Sequence, residues 1–526
     1  MDLSTLKPVS VWEIFCRLIL QIPHPSGKEG KLRDAIKNWV KDNAKTGVTI
    51  KQDRSGNLLI QHPGARQYTN HPSILLQGHM DMVCETNLPG GFKFNSTPIP
   101  AFIEETGKWV MADGTTLGAD NGIGVSMMLA LLKEHDTDLD DRPYEILLTH
   151  SEETGLHGAL ALDPCELELD SIAMINLDSE NVEEIIIGSA GGGDVIMERG
   201  YHPIAVNERD DLSWFTITVS GLKGGHSGVD IHKQYPNAIK VLCKLLSRVT
   251  ELHSIHVCAM EGGSRSNAIP RTAQVTLAID KNAEKGIISL VNEDINDARA
   301  YYEEHERGTS SPAKPDVKAL SSLSIVLEPV VPAGPAEQAS FMNLDDSREL
   351  IRILNALPHG VHSYSVTMPG LVEISSNVAM VTMDPIKKIL RVQVNVRSNI
   401  DHMLKTTRQG IAAIPRLAGW QVRLPDAYPG WKPRPRSAFV RFVKRIHGET
   451  SGLEVRVRAI HAGLEAGIIG KQLGLHPANI ASIGPTILNA HSPAEKACIK
   501  DVSTMYSVLK RLILSFSGKQ YEGINP

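Results

Sequence analysis

"LLQGHMDMVCE", residues 75–85, decides the fold. An apolar run suited to a buried strand ends in His79 and Asp81, two positions apart. Successive side chains on a strand alternate faces, so this pair leaves the same face at the strand's carboxyl end. The pattern recurs along the chain. "YEILLTH" (144–150) runs into "SEETG", with Glu152 and Glu153. "SIAMINL" (171–177) runs into Asp178, and "NIASIGPTILNA" (479–490) into His491. Asp120, in "GADNGIG" (118–124), opens the helical pattern "NGIGVSMMLALLKEH". Strands alternating with helices predict an α/β fold, a mostly parallel sheet covered by helices. In such sheets ligands sit beyond the carboxyl ends of the strands.

The middle of the chain reads differently. "WFTITVSG" (214–221), "AQVTLAID" (273–280), "LVEISSNVAMVTM" (371–383) and "ILRVQVNVRS" (389–398) alternate apolar and polar residues. That is the pattern of strands with one face in the core. With 526 residues, more than one core is expected. The predicted organisation is a discontinuous catalytic domain, 1–191 plus 399–526, with an α+β lid domain inserted at 192–398. Within the insert, "EEHERGTSSPAKPDVKALSS" (303–322) reads as a linker, splitting it into two subdomains.

Composition narrows the function classes. Apolar residues make up 42% and charged residues 22%, and the net charge is −6 with no dense Lys/Arg block. No nucleic-acid or anionic-membrane partner is expected from that balance. No apolar run has the length of a membrane span. The opening segment, "MDLSTLKPVSVWEIFCRLILQI", lacks a basic start and is interrupted by Glu13 and Arg17, so it reads as an amphipathic helix and not a signal peptide. Six scattered cysteines without CxxC spacing read as free thiols, which sets a cytoplasmic expectation.

Each polar strand end has an ordinary explanation by itself. An Asp before a helix is most often a cap, paired glutamates are most often solvated, and a His beside Ser-Pro is most often in a turn. Converging on one sheet edge, the same acids would repel one another, and burial would sharpen the conflict. A bound dication removes it. His79, Asp120, Glu153, Asp178 and His491 make five candidate ligands, a mixed set that suits zinc, with manganese or cobalt as competitors. If Asp120 bridges, two divalent metal ions each receive three protein ligands and keep an open position. Glu152 is left over as a general base. Asp81 is placed to accept the second ring N–H of His79.

"GHMDMV", "TTLGADNGIG", "SEETGLHGA", "INLDSE", "GLKGGHSGVDIH", "GGSRSNAIPR", "AYPGW", "IHAGLEAG" and "SIGPTILNAHSP" occur in this order. The chain resembles the aminoacyl-histidine (Xaa-His) dipeptidases over essentially its whole length. These belong to the co-catalytic zinc peptidases, with carnosinases, peptidase T and carboxypeptidase G. The resemblance implies the same five ligands with Asp120 bridging, Glu152 as base and Asp81 as orienting residue. It adds His226 in "GGHSG" as a lid histidine that stabilises an oxyanion, often across a homodimer interface. It also adds Asn267, Arg397, His461 and Glu465 as substrate-binding residues. The last two, at i and i+4, would share one face of a helix. The stretch 308–334 is longer than the family pattern requires.

The implied activity is hydrolysis of a small dipeptide substrate. A related deacylase or carboxypeptidase shares the same metal core, and a non-catalytic metal-dependent binding protein is the third reading. Discrimination between the first two lies in the lid and in "HAGLE".

Overall fold

The computed structural model describes residues 3–65, 72–134, 137–205, 211–308, 323–331 and 340–518. The chain divides into two compact units, residues 1–189 with 429–526, and residues 190–428.

The first unit is built on an eight-stranded sheet. Its order is Thr49–Gln52, Leu58–His62, Tyr144–Thr149, Ile74–His79, Ala173–Asn176, Ile480–Ser482, Glu184–Ile186 and Arg456–Arg458. Ile74–His79 lies in the middle and pairs in parallel with the 144–149 and 173–176 strands, placing His79 opposite Thr149 and Gln77 opposite Asn176. The 173–176 strand pairs in parallel with 480–482. Four neighbouring strands therefore end on one edge. Ile74, Leu75 and Leu76 have no exposed surface, as expected for a strand covered on both faces.

Among the described residues the sheet is mixed, with four parallel pairings at its centre and far edge and three antiparallel ones. The pairings 49–52 with 58–62, 58–62 with 144–149, and 480–482 with 184–186 are antiparallel. For the first of these the cause is local. Asp53 accepts hydrogen bonds from Gly56 N, Asn57 N and Ser55 Oγ. That tight turn returns the chain at once, and a short connection permits only antiparallel pairing.

Helix Ala119–Lys133 is buried on almost every side, which matches its all-round apolar sequence. Helix Gly30–Asn43 buries the stripe Leu32, Ile36 and Val40. The expected N-terminal amphipathic helix is broken into Val9–Ile14, starting after Pro8, and a π turn at Phe15–Ile19, with Trp12 and Phe15 fully buried. Gly484 is required by close approach: a Cβ there would lie 1.6 Å from the Ser179 carbonyl oxygen.

The second unit has a nine-stranded sheet paired antiparallel throughout, including Gly191–Gly200, Leu212–Ser220, Ile255–Gly262, Ala273–Asp280, Val372–Asp384 and Ile389–Ser398. Helices Ala238–Leu252 and Leu344–Ala356 supply Leu242, Leu246, Leu350 and Leu354 to its core. This unit continues past residue 398. Helix Asp401–Leu417 contributes Leu404 and Ile411 to the same core, and Gln421–Arg423 adds an edge strand beside 191–200. The return to the first unit therefore falls at Pro429 and not at 399.

The supposed linker is also partly ordered. Helix Glu284–Gly308 takes in its first six residues, three of them the helix-favouring Glu. Ser324–Pro329, inside the long 308–334 stretch, is a strand paired with Leu212–Ser220. Residues 309–322 and 332–339 lie outside the described residues. Among the described residues no disulfide links the six cysteines, and no helix is long and apolar enough to cross a membrane.

Candidate metal centre and active site

The carboxyl edge of the first unit's sheet gathers seven of the expected residues. His79, the last residue of its strand, is 1% exposed. Its Nε2 lies 3.2 Å from Asp120 Oδ1 and 3.3 Å from Asp178 Oδ1. His491 Nε2 lies 3.1 Å from Asp120 Oδ2 and 2.9 Å from Glu153 Oε1. The two oxygens of Asp120 thus face two different histidines, each accompanied by a further carboxylate.

Donor atoms held about 2.0–2.1 Å from a tetrahedral zinc ion stand roughly 3.3–3.5 Å apart. The observed spacings fall near that range. His79, Asp120 and Asp178 form one group whose donor atoms all lie within 4.8 Å of one another, and Asp120, Glu153 and His491 form another. His79, Glu152 and Glu153 also meet this distance. The donor set and its geometry fit two dications sharing Asp120.

Charge points the same way. Burial pushes His79 down, but Asp178, Asp120 and Asp81 outweigh it and hold its pKa well above the ordinary value. Asp120 and Glu153 draw His491 up to about 11. Burial, with repulsion from Asp120 and Glu153, pushes Asp178 up to about 6 against the pull of His79. Burial raises Glu152 well above the ordinary value, and Asp178, Glu153 and Glu465 add to it. Burial also raises Glu153. Without positive charge between them, these acids resist ionising together.

The supporting contacts explain how the loops are held. Asp81, 1% exposed, accepts from Ser26 Oγ at 2.6 Å, Glu152 N at 2.9 Å and Glu153 N at 3.2 Å. Its Oδ1 is 3.4 Å from His79 Nδ1. The Asp81 backbone carbonyl, 3.1 Å from the same nitrogen, accepts its hydrogen bond, and the carboxylate pins the start of the 151–155 loop. Glu29 accepts from Ser151 N and Oγ, securing a non-glycine residue at φ 50°. His491, at φ 62°, is held in the same left-handed region, a conformation that costs of order 1–3 kcal/mol and concentrates at functional sites.

Asp120 is not a helix cap. Gly118 occupies the cap position and regular helix begins after Asn121. Asn121 Nδ2 donates to Asp178 Oδ1 at 2.9 Å and to the Leu177 carbonyl at 2.6 Å. Glu495 accepts from four consecutive N–H groups, Leu117 to Asp120. Ser26, Glu29, Asn121 and Glu495 escape sequence reasoning; the only signal for Glu495 is a carboxylate four residues beyond His491 in "HSPAE".

His461 and Glu465 do not share a helical face. Gly463 interrupts the segment and the helix starts at Glu465, leaving His461 buried in the preceding bend. Glu465 has no exposed surface, and its Oε2 accepts from Gln77 Nε2 at 2.7 Å and Thr149 Oγ1 at 2.5 Å. Through Oε2 it braces two strands behind His79, while Oε1 is buried with no hydrogen-bond partner among the described residues.

His226, Asn267 and Arg397 cluster in the second unit. His226 pairs with Ala268, and Ser227 N donates to the Asn267 carbonyl at 2.8 Å. Arg397, 5% exposed, donates to Tyr428 OH at 3.0 Å and approaches Ser227 Oγ at 3.4 Å. The backbone N–H groups of Gly228 and Val229 both donate to His226 Nδ1. The proton of the neutral ring therefore sits on Nε2. Burial, with the Arg397 charge, pushes His226 down to about 4, so the neutral donor form prevails at neutral pH.

The signature of Peptidase family M20/M25/M40 covers residues 75–515 of this chain. The chain belongs to that family. The matched span begins inside the first ligand-bearing strand and takes in both His79 and His491. Among relatives of this M20 chain, the cytosol non-specific dipeptidase of Escherichia coli K12 is 34% identical over 519 residues, 98% of this chain and 100% of that one. The crystal structure of an aminoacylhistidine dipeptidase from Vibrio alginolyticus matches with TM-score 0.78 at 33% identity, covering 98% of each chain. A Staphylococcus aureus tripeptidase shares the fold at TM-score 0.52 and 15% identity, covering 97% of this chain and 98% of that one.

Proposed function

We propose that this M20 peptidase is a dinuclear metal-dependent dipeptidase that hydrolyses Xaa-His dipeptides. The observation that carries the reading is Asp120, with one carboxylate oxygen toward His79 and Asp178 and the other toward His491 and Glu153. The two full-length relatives support the substrate class, one by the words non-specific dipeptidase and the other by aminoacylhistidine dipeptidase.

His79, Asp120 and Asp178 would hold one ion and Asp120, Glu153 and His491 the other, zinc first among dications. When bound, the ions supply Lewis-acid polarisation of the scissile carbonyl and lower the pKa of the attacking water. Glu152 takes the proton from that water and delivers it to the leaving amine. Asp81 fixes the His79 ring and the backbone from which Glu152 projects. His226 offers its Nε2–H to the oxyanion of the tetrahedral intermediate, placing a donor where charge develops. Arg397, with Asn267 beside it, binds the dipeptide carboxylate. A homodimer and a cytoplasmic setting complete the reading.

The test is Glu152→Ala assayed on a panel of Xaa-His dipeptides, other dipeptides and acetylated amino acids. The variant is expected to keep its metal and lose nearly all turnover. Near wild-type turnover of the variant would remove Glu152 from its role. Wild-type hydrolysis of the acetylated set alone would replace the dipeptidase reading with a deacylase.

A further inference from the structure

We propose that Glu495 is a positioning residue that sets the distance between Asp120 and His491, and through it the second dication site. This rests on the dinuclear reading above and concerns a residue that supplies no ligand atom.

Glu495 is 2% exposed. Its Oε2 accepts from Leu117 N at 2.7 Å and Gly118 N at 3.0 Å, and its Oε1 from Ala119 N at 2.8 Å and Asp120 N at 3.2 Å. The first N–H groups of a helix normally find a side chain next to them in sequence. Here the cap position is Gly118, which has no side chain, and the acceptor comes from hundreds of residues downstream. All four contacts are backbone donors, two to each carboxylate oxygen.

The other end of Glu495 is equally fixed. Ser492 Oγ donates to the Asn489 carbonyl, Ala494 N donates to Ser492 Oγ, and Asn489 Nδ2 donates to the Ala494 carbonyl. Glu495 N closes the turn onto the Ser492 carbonyl. The next residues, Lys496–Cys498, pair with Trp109–Ala112. Glu495 therefore joins the segment carrying His491 to the segment carrying Asp120. Those segments meet where His491 Nε2 lies 3.1 Å from Asp120 Oδ2. On the other side of Asp120, Asp178 has its own tie through Asn121. Loss of Glu495 should thus loosen the Asp120–Glu153–His491 group more than the His79–Asp120–Asp178 group.

A merely structural Glu495 would lower stability without choosing between the sites. The experiment titrates chelator-stripped wild type and Glu495→Gln with buffered zinc, counting bound ions per chain and recording kcat and KM. Wild type is expected to bind two ions. Glu495→Gln is expected to retain one at near wild-type affinity and to bind the second ~10–100-fold more weakly, the usual effect of losing a residue that orients ligands. Its kcat should fall further than KM changes. Ser492→Ala, which removes two hydrogen bonds of the turn next to His491, should weaken the same site by a smaller factor, and it serves if Glu495→Gln does not fold. Two ions at wild-type affinity in the variants, or equal weakening of both sites, would overturn the proposal. A wild-type chain that never binds two ions would instead overturn the dinuclear reading on which it stands.

Discussion

Asp81→Asn is the sharpest perturbation of the site because it changes one atom and removes no ligand. Asp81 Oδ1 accepts from Glu152 N, and Oδ2 accepts from Ser26 Oγ and Glu153 N. Asparagine offers one oxygen and one NH₂. Ser26 can turn its hydroxyl to accept from that NH₂, but a backbone N–H cannot. Whichever way the amide sits, either Glu152 N–H or Glu153 N–H loses its acceptor, at a penalty of about 1–3 kcal/mol for a buried donor. The charge facing His79 Nδ1 at 3.4 Å is lost as well, while the Asp81 backbone carbonyl still accepts from that nitrogen at 3.1 Å. Together these come to about 2–4 kcal/mol, or a ~30- to 1,000-fold fall in kcat/KM if all of it reaches the transition state. Relief comes only by moving the 151–155 loop, and moving that loop moves Glu152. The assay is kcat/KM on an Xaa-His dipeptide at saturating metal, with melting temperature measured in parallel. A variant with kcat/KM within threefold of wild type and an unchanged melting temperature would refute the assignment of Asp81 as the residue that holds both His79 and the base.

Other perturbations separate the remaining parts. Chelation should abolish turnover and lower the melting temperature, because the acids on the sheet edge lose their counter-charge; zinc, manganese or cobalt should restore both, and activity surviving exhaustive chelation would contradict the metal reading. Arg397→Lys removes a planar bidentate donor from a 5% exposed position and should raise KM by ~10–100-fold with a smaller change in kcat, as the carboxylate-binding role requires; a kcat-only effect would deny that role. Gly484→Ala should fail to yield stable protein, since its Cβ would lie 1.6 Å from the Ser179 carbonyl oxygen; a normal melting temperature would show that the backbone there yields easily. His359 is pushed down from 6.5 to about 3 by burial, with Lys240, His362 and Lys244 adding. The unfolded chain takes up this proton near pH 6.5 and the folded chain does not, so its share of stability is intact above pH 6.5 and is lost below it, by about 2 kcal/mol at pH 5. His359→Gln should flatten the melting temperature between pH 6.5 and pH 5, and an unaltered slope would mean that other groups control acid sensitivity.

The ligand edge was legible because its chemistry is costly. His79, Asp120, Glu153, Asp178 and His491 each follow or open an apolar element, and five such groups converging at one sheet edge make sense only around positive charge. The strands bearing them could be read from apolar runs because they are covered on both faces. The mixed character of the sheet could not, since the direction of 49–52 and 58–62 is set by a five-residue turn held by Asp53, a tertiary consequence of one side chain. The end of the insert was misplaced for a related reason. Helix 401–417 has an ordinary amphipathic pattern, and only its packing, Leu404 and Ile411 in the second unit's core, tells which unit owns it.

What stayed hidden shares one property: its partners are backbone groups far away in sequence. A carboxylate that binds metal and a carboxylate that accepts N–H groups are the same residue type, and their sequence neighbours do not distinguish them. The family resemblance marks Glu465 as a substrate contact, and its Oε2 is engaged by Gln77 and Thr149. Glu495 lies in the unremarkable stretch "HSPAE", yet it holds four N–H groups of the Asp120 loop. In both cases burial narrows the reading. A carboxylate at 0% or 2% exposure must be matched by donors or by cations, and the identity of the match decides between bracing and binding. Among the described residues Asp120 has two histidines and no backbone donor to its side chain, whereas Glu495 has four backbone donors. That contrast separates the residue that should hold the ions from the one that should hold the residue holding them.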